Sequence, residues 1–173
     1  MSDAIQVRTL HEVSEREIQE LSDLLIDCVE GGASVSFMLP IARATAAAFW
    51  RGVAASVLRG ERILMTAQNA AGQIIGTVQI IFAQAENQPH RADIAKMLVH
   101  RRARRLGVGA ALLAAAEREA LSAGKTLLVL DTASGDAERL YARLGWQRCG
   151  VIPGYALLPG GGLCDTTFFY RVL

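Results

Sequence analysis

The sequence has little of several features that would mark a particular class of protein. Its three cysteines are widely spaced and form no C-x-x-C pair, so neither a zinc site nor a disulfide framework is indicated. The formal net charge is only +1, which gives no overall attraction to nucleic acid or to a membrane surface. No apolar run approaches the roughly 18 residues of a membrane span. We therefore expect a cytoplasmic protein without a metal site, a nucleic-acid partner or a membrane partner.

Lysine is also scarce, which makes the distribution of positive charge informative. Of the 18 Lys and Arg residues, only Lys96 and Lys125 are lysines, and four arginines fall between positions 101 and 105. Lys96 is expected to be solvated or salt-bridged. The hydrophobic content of 51% over 173 residues is enough to fill one core. We predict a single domain over residues 1–173.

Hydrophobic spacing alternates between the periods of helices and strands along the chain. Ser14 and Glu17 form a capping box, and Pro40 suits the first turn of a second helix. An antiparallel meander followed by one parallel crossover is typical of a mixed α/β fold. We predict a mainly antiparallel twisted sheet of six to seven strands flanked by about four helices. The predicted order is a strand at 5–10, helices at 15–30 and 40–59, strands at 63–68, 73–82 and 91–99, a helix ending at 123, a strand at 126–131, a short helix ending at 144, and strands at 147–152 and 166–172.

The segment from Lys96 to Leu113 is the most informative part of the chain. A short apolar strand is followed by an Arg-rich turn that contains Gly107 and Gly109, and then by the start of a helix. Glycines let the backbone approach a ligand closely, and a helix N-terminus offers unpaired N–H groups and a partial positive charge. This basic turn, residues 100–110, is therefore predicted to hold a phosphate group.

Three other interpretations of the basic turn are weaker. A dinucleotide site would need a third glycine where Leu112 stands, although Gly107, Gly109 and Asp131 partly reproduce its spacing. A P-loop would need a Gly-Lys-Ser/Thr sequence, which does not follow. A nucleic-acid patch is disfavoured because no aromatic residues alternate with the arginines and the total charge is near zero.

Two motifs resemble a known family. Arg104-Arg-Leu-Gly107-Val-Gly109 is similar to the Arg/Gln-x-x-Gly-x-Gly/Ala pyrophosphate loop of the acyl-CoA N-acyltransferases, the GNAT superfamily. The segment from Ala137 to Trp146 is similar to the later helix and strand entry of that superfamily, and the order of elements before them also agrees. The sequence departs at Arg105 and Leu106, where these loops often carry Gly and then Arg or Gln.

Four further segments resemble one branch of this superfamily. They are Gly31–Met38, Arg91–Val99, Leu130–Thr132 and Pro153–Tyr155, which look like the tabtoxin-resistance acetyltransferases. That branch acetylates a small toxin of amino-acid and β-lactam character.

The resemblance implies acetyl-CoA as the cosubstrate. The family's strand before the basic turn splays from its neighbour, which would leave the N–H of Leu98 or Val99 free to polarise the thioester carbonyl. The residues that the resemblance places against acetyl-CoA are Met97, Leu98, Val99, Arg104, Arg105, Leu106, Gly107, Val108, Gly109, Ala110 and Tyr141.

Acetyl transfer to an amine requires a base for the ammonium form and an acid for the departing thiolate. Asp93 and Asp131 lie on neighbouring strands near the basic turn and are candidates for the base. A capping role for Asp131 and an ion pair between Asp93 and Arg91 are the alternatives. Tyr141 matches the family's tyrosine and is the candidate acid, against the alternative of a surface tyrosine.

The acceptor is predicted to lie between residues 31–38 and the turn at 153–155. Ser34 offers a hydroxyl, and Phe37 and Tyr155 offer apolar walls, with Asp93 and Asp131 nearby. The alternative for Phe37 is that it only fills space between the first two helices.

The sequence therefore predicts an acetyl-CoA-dependent N-acetyltransferase of a small, polar, amino-acid-like amine, which acts by direct transfer in a ternary complex. The resemblance also suggests a role in toxin or antibiotic resistance. A protein or peptide N-acetyltransferase and a non-catalytic CoA-binding module are the alternatives. The aromatic C-terminal strand with Phe168, Phe169 and Tyr170 could contribute to a homodimer.

Overall fold

The computed structural model describes residues 5–173. Seven strands and four helices make up most of this part of the chain, and a short 3-10 helix, Arg101–Ala103, lies in the basic turn. The strands are β1 Gln6–Leu10, β2 Arg62–Gln68, β3 Ile74–Phe82, β4 Arg91–Val99, β5 Leu127–Thr132, β6 Gln147–Leu157 and β7 Leu163–Val172. The helices are α1 Glu15–Glu30, α2 Arg43–Leu58, α3 Val108–Ser122 and α4 Gly135–Arg143.

All seven strands belong to one sheet in the order β1-β2-β3-β4-β5-β7-β6. Every pair is antiparallel except β4 with β5, which α3 connects as a parallel crossover. The predicted mixed, mainly antiparallel sheet with four helices is confirmed. β7 lies inside the sheet and β6 forms its edge, so the aromatic residues of β7 do not belong to an edge strand. Phe169 is 1% exposed and belongs to the core.

The helices cover both faces of the sheet and make two cores. α1 and α2 pack on one face around Leu21, Leu25 and Trp50, which are fully buried. α3 and α4 pack on the other face around Leu112 and Tyr141. Because side chains alternate along a strand, each strand sends every second residue to one of these cores.

The N-terminal capping box forms as predicted. Ser14 accepts a hydrogen bond from the Glu17 N–H at 3.3 Å, and the Glu17 carboxylate accepts one from the Ser14 N–H at 2.8 Å. These contacts pair backbone donors that the first turn of α1 would otherwise leave free.

Several predicted bounds were wrong. Pro40 does not lie in the first turn of α2: the helix begins at Arg43, with Ala42 as its N-cap, and Pro40 belongs to the preceding loop. The last two strands are longer than predicted, because β6 continues through Pro153 to Leu157 with an irregularity between Ile152 and Ala156. An edge strand tolerates a proline, because the missing N–H removes no essential ladder bond.

β4 has an irregular course that determines the shape of the centre of the sheet. It pairs with β5 only from Arg91 to Asp93, whereas its pairing with β3 continues to Val99. Val78 of β3 opposes both Lys96 and Met97, so β4 carries a bulge, and Lys96 adopts a φ of 48° there. A bulge bends a strand and increases its twist. β4 therefore separates from β5 just before the basic turn.

Candidate active site

The separation of β4 from β5 opens a wedge in the sheet at the carboxyl end of both strands. Beyond the pair Asp93–Val129, alternate residues of β4 direct their backbone N–H and C=O groups towards β5 without a strand partner. The stretch includes Met97, Leu98 and Val99. The His100 N–H donates to the Ile75 carbonyl at 2.9 Å, so alternation along the strand turns the N–H of Leu98 to β3 and those of Met97 and Val99 to the wedge.

The N-terminus of α3 lies next to this wedge and has no side-chain cap. Gly107 is the N-cap residue, with a φ of 85°, a left-handed conformation that glycine adopts without strain. The first hydrogen bond of the helix runs from the Ala111 N–H to the Gly107 carbonyl at 3.0 Å. Within residues 5–173, the N–H groups of Val108, Gly109 and Ala110 have no acceptor. Such a helix end is a ready anion site.

The arginines of the basic turn divide into two groups. Arg101 is committed to α1, because its backbone N–H and its Nε each donate to Asp27 at 2.9 Å. Arg102, Arg104 and Arg105 are exposed and form no salt bridge in the described part of the chain. Three arginines without a salt bridge in residues 5–173 therefore precede the uncapped helix end, and Arg104 also acts on the buried Cys28 thiol.

Asp27 anchors the turn to α1. Burial raises the pKa of Asp27, but hydrogen bonds from Arg101 and the charges of His100 and Arg101 outweigh it, so the pKa lies below its ordinary value. Gly31 gives the Arg101 side chain room, since a Cβ at Gly31 would come within 2.9 Å of its Cδ.

Arg105, where the sequence departs from the loops of the superfamily, has an unusual backbone conformation. Arg105 has a φ of 63°, in the left-handed region that favours glycine, at the position where the related loops often carry Gly. A non-glycine residue there costs about 1–2 kcal/mol. Arg105 and Leu106 are both exposed, so this bulk points away from the core.

Two residues of the turn have packing roles. Val108 is buried under the sheet. Gly109 lies where α3 meets α4, because a Cβ there would come within 3.0 Å of Leu140 and 3.4 Å of Met97. Gly109 therefore permits close packing of these elements as well as backbone access.

Tyr141 lies on α4, packed against Trp146 and Phe169 with ring centroids 5.8 and 5.6 Å away. It is 4% exposed, so the alternative of a surface tyrosine does not describe its position. Its hydroxyl makes no hydrogen bond with residues 5–173. Burial and, to a smaller extent, the charge of Asp131 raise the pKa of Tyr141 above its usual range. The hydroxyl therefore stays protonated at neutral pH.

The two carboxylates lie on the same face of the sheet, towards α1 and α2. Asp93 is bound by Arg91, whose Nη1 donates to both carboxylate oxygens at 2.9 and 3.0 Å. Asp131 is exposed and accepts one hydrogen bond, from the Thr166 hydroxyl at 2.7 Å. Asp131 is thus the carboxylate without a cationic partner in the described structure, and it lies at the open end of the wedge.

The loop 31–39 runs beside the β6–β7 hairpin and is tied to it by three contacts. Ser34 Oγ donates to the Leu157 carbonyl at 3.2 Å and accepts from Cys164 Sγ at 3.5 Å. The Leu39 N–H donates to the Pro159 carbonyl at 2.9 Å. The loop therefore lies against the hairpin, although the predicted segment 153–155 is part of β6 and takes part in none of these three contacts.

The two aromatic residues predicted at the acceptor differ in burial. Tyr155 is 52% exposed and stands edge-on to Phe168 at 5.9 Å. Phe37 is half-buried and packs edge-on against Phe49 at 5.3 Å. Phe37 thus does fill space under α2, although it belongs to the loop that faces the hairpin.

Two residues at this site escaped the sequence analysis, and one was predicted wrongly. Nothing in the sequence links Thr166 to Asp131 or Asp27 to the basic turn. Lys96 forms no salt bridge in residues 5–173, and it is half-buried rather than fully solvated: it donates to Ser36 Oγ at 3.1 Å. The bulge in β4 redirects its side chain, and neither the strand period nor the composition shows that bulge.

Comparison with known proteins identifies the family. A sequence model of the Acetyltransferase (GNAT) family matches residues 34–146, which include the wedge, the basic turn and Tyr141. The chain belongs to this family. It is an acetyl-CoA-dependent N-acetyltransferase of the GNAT type.

One sequence relative and two solved structures illustrate the similarity. An uncharacterized N-acetyltransferase from the hisH-hisA intergenic region of Azospirillum brasilense is 29% identical over 129 residues, 73% of this chain and 74% of that protein. A GNAT phosphinothricin acetyltransferase from Sinorhizobium meliloti, solved with acetyl-CoA, has a TM-score of 0.80 at 18% identity, covering 100% of this chain and 89% of that one. A ribosomal-protein-alanine N-acetyltransferase from Brucella melitensis has a TM-score of 0.77 at 21% identity, covering 97% and 99%. The shared GNAT fold therefore leaves the acceptor open.

Membrane-spanning helices and metal-binding groups were sought in the described residues. None of the helices within residues 5–173 is long and apolar enough to cross a membrane. In the same range, no three His, Cys, Asp or Glu side chains are grouped so that they could hold a metal ion.

Proposed function

We propose that this GNAT protein acetylates the amine of a small, polar, amino-acid-like molecule by direct transfer from acetyl-CoA. The observation that carries the proposal is the wedge between β4 and β5, which has the uncapped α3 N-terminus on one side and the loop 31–39 on the other. A ligand that is anionic at one end and reactive at the other fits such a wedge.

The residues at the basic turn fit the diphosphate of acetyl-CoA. Three unpaired N–H groups at the start of α3 and the side chains of Arg102, Arg104 and Arg105 supply hydrogen bonds and positive charge. Acetyl-CoA supplies an activated acyl group whose transfer to an amine releases a free thiol. We assign the unpaired backbone donors of Met97 and Val99 to the thioester carbonyl.

Asp131 and Tyr141 supply the proton transfers in this proposal. Asp131, directly or through water, accepts the proton that the ammonium group must lose before nitrogen can bond to the acyl carbon. Tyr141 donates its hydroxyl proton to the sulfur as the carbon–sulfur bond breaks. Desolvation raises the pKa of a thiol as it does that of a phenol, so both pKa values move in the same direction in a water-poor site. The ion pair with Arg91 leaves Asp93 in a supporting role.

The loop 31–39 and the β6–β7 hairpin favour a small acceptor over a protein chain. Ser34, Leu39 and the hairpin residues close one side of the wedge through the contacts described above. An extended peptide would need an open groove on that side. Ser34, Phe37 and Tyr155 are proposed to line the acceptor pocket.

A resistance role and a cytoplasmic location remain predictions. Resemblance of Gly31–Met38 and Pro153–Tyr155 to the tabtoxin-resistance branch supports acetylation of a toxin or antibiotic. The three free cysteines agree with a reducing compartment.

A screen of primary amines, with release of free thiol from acetyl-CoA as the signal, tests the proposed function. The library combines amino acids, their decarboxylated amines, polyamines and N-terminal peptides. We expect turnover with amino-acid-like amines and loss of it in Tyr141→Phe. Turnover with peptides alone would contradict the small-molecule proposal, and binding of acetyl-CoA without turnover of any amine would indicate a non-catalytic module.

A further inference from the structure

Lys96 lies near the wedge, and the catalytic proposal uses neither its position nor its charge. It lies in the bulge of β4 and extends towards the face covered by α1 and α2. Its ammonium group donates to Ser36 Oγ at 3.1 Å and stands 5.8 Å from the centre of the Phe49 ring. The side chain is therefore held at the acceptor side of the wedge by two separate contacts.

The ammonium group of Lys96 is only partly satisfied. An ammonium group has three N–H donors, and the single hydrogen bond in the described structure goes to a neutral hydroxyl. No carboxylate in residues 5–173 forms a salt bridge with it. Burial lowers the pKa of Lys96, the negative charge of Asp131 opposes this, and Arg62 adds to the lowering. The other N–H donors of this half-buried cation are therefore available to an anion.

The neighbouring charged groups cannot supply that anion. Arg62 is also cationic, and its guanidinium is bound by Ser56 at 2.8 Å and Gln79 at 2.7 Å. Asp93 is bound by Arg91. Asp131 influences Lys96 from beyond salt-bridge distance, with Thr166 holding one of its oxygens. Lys96 and Asp131 thus lie on the adjacent strands β4 and β5 and on the same face of the sheet, without a salt bridge between them in residues 5–173.

This charge arrangement selects among amines. An acceptor with only ammonium groups would be attracted by Asp131 and repelled by Lys96 and Arg62. An acceptor with both an amine and a carboxylate places a favourable charge against each. An amine without a carboxylate that binds in its uncharged form would be repelled less, but it would still lack the favourable contact with Lys96.

We propose that Lys96 is a specificity-determining residue that binds the carboxylate of the acceptor while Asp131 faces its amine. The inference rests on the proposed function and narrows its substrate class to amines that carry a carboxylate. Ser36 and Phe49 fix the Lys96 side chain in place before the acceptor arrives, which reduces the entropy cost of binding.

Matched substrate pairs and a matched lysine provide the test. Three pairs are L-serine with ethanolamine, L-leucine with isopentylamine, and L-phenylalanine with 2-phenylethylamine. A fourth pair is the best amine from the library and its methyl ester or decarboxylated form. Lys96→Met removes the charge and Lys96→Arg retains it. Lys125→Met is the control, because Lys125 also has one hydrogen bond, to the Pro89 carbonyl at 2.7 Å, and one aromatic contact, with Phe82 at 4.4 Å.

The parent enzyme should prefer the carboxylate-bearing member of a pair, and Lys96→Met should raise its KM by about 10- to 100-fold, the range for one charge-assisted hydrogen bond. KM for the partner amine should change by less than about threefold, Lys96→Arg should recover part of the loss, and Lys125→Met should match the parent. Calorimetry with the same amino acid and the CoA-loaded protein should show the same loss of affinity.

Other outcomes overturn the inference. An equal loss for both members of a pair would make Lys96 a clamp for the loop 31–39, and a parent enzyme that prefers amines without a carboxylate would exclude the subsite. Turnover in either of these cases would leave the proposed acetyltransferase function intact. No turnover with any amine would instead remove the proposed function, and this inference with it.

Discussion

The two sides of the wedge are built in different ways. The basic turn is one continuous segment, residues 100–110, and its ligand groups are backbone N–H donors and arginines that are close in sequence. The acceptor side that we propose combines the loop 31–39, Lys96 on β4, Asp131 on β5 and the β6–β7 hairpin. Backbone donors in a short turn depend on local conformation, whereas the acceptor pocket depends on the packing of distant segments.

This difference in construction explains why membership of the family indicates the cosubstrate but not the acceptor. The proposed cosubstrate site depends on one turn and one helix start. The proposed acceptor pocket depends on four separate segments, and loops tolerate change well. We therefore predict that mutations of the basic turn affect the binding of acetyl-CoA alone. Mutations of the acceptor side should affect the binding and turnover of the amine alone.

The largest effect should come from the residue between the two sides. Tyr141→Phe should lower kcat by about 10²–10⁴, the usual contribution of one general acid. The affinity for acetyl-CoA should change by only a few fold, because the hydroxyl acts as the thiolate leaves. Stability should be nearly unchanged, since the hydroxyl has no hydrogen bond within residues 5–173. Turnover equal to that of the parent would make Tyr141 a core residue only.

The two carboxylates should differ in effect. Asp131→Asn should lower kcat/KM for the amine by about 10² or more and alter its pH profile, as expected for loss of a base. Asp93→Asn should cost less than about threefold, because Arg91 already occupies both oxygens of Asp93. Stopped-flow or steady-state thiol release across pH checks both. A profile that follows only the ionisation of the amine in both variants would exclude a carboxylate base.

On the cosubstrate side, the double variant Arg104→Gln, Arg105→Gln should raise the Kd of acetyl-CoA by about 10- to 100-fold. The parent affinity should fall steeply with salt and that of the variant less so, because exposed charges are screened. KM for the amine should not change. Arg118→Gln, an exposed arginine farther along α3, is the control. Equal loss in both variants by calorimetry would argue against a specific site.

Asp27→Asn should weaken the tie between α1 and the basic turn. Removing a charge that accepts two hydrogen bonds from Arg101 should reduce the free energy of unfolding by about 1.5–3 kcal/mol at neutral pH. Since the folded pKa of Asp27 is lowered, its stabilisation is present above the ordinary Asp pKa of about 3.9 and is lost as pH falls further. Denaturant titrations at several pH values should therefore show a shallower acid loss in the variant. An unchanged acid limb would assign that loss to other groups.

The smallest effect concerns the backbone at Arg105. Arg105→Gly should stabilise the fold by about 0.5–1 kcal/mol, because glycine relieves the left-handed strain but gains freedom in the unfolded chain. Its Kd for acetyl-CoA should rise less than that of the double variant, since the backbone donors remain. A lower Tm in thermal unfolding would mean that the Arg105 side chain stabilises the turn.

Much of the fold followed from local signals. The capping box at Ser14, the hydrophobic spacing of α1 and the glycine-containing turns predicted the order of all eleven helices and strands and the mixed sheet. Pro40 was misplaced, because a proline suits a loop as well as a first helical turn. The extension of β6 past Pro153 escaped prediction, because its position at the edge of the sheet is a property of the whole fold.

The sequence by itself determined the basic turn, since glycines, arginines and a helix start that are adjacent in the chain must be adjacent in space. It also provided Tyr141, through a motif contained in one short helix. Only the tertiary structure decided that Asp93 is bound by Arg91 while Asp131 is not, that Asp27 holds the turn, and that Lys96 contacts Ser36 and Phe49. Those facts depend on strand register and on a bulge of one residue, and a shift of one residue sends a side chain to the opposite face of a sheet.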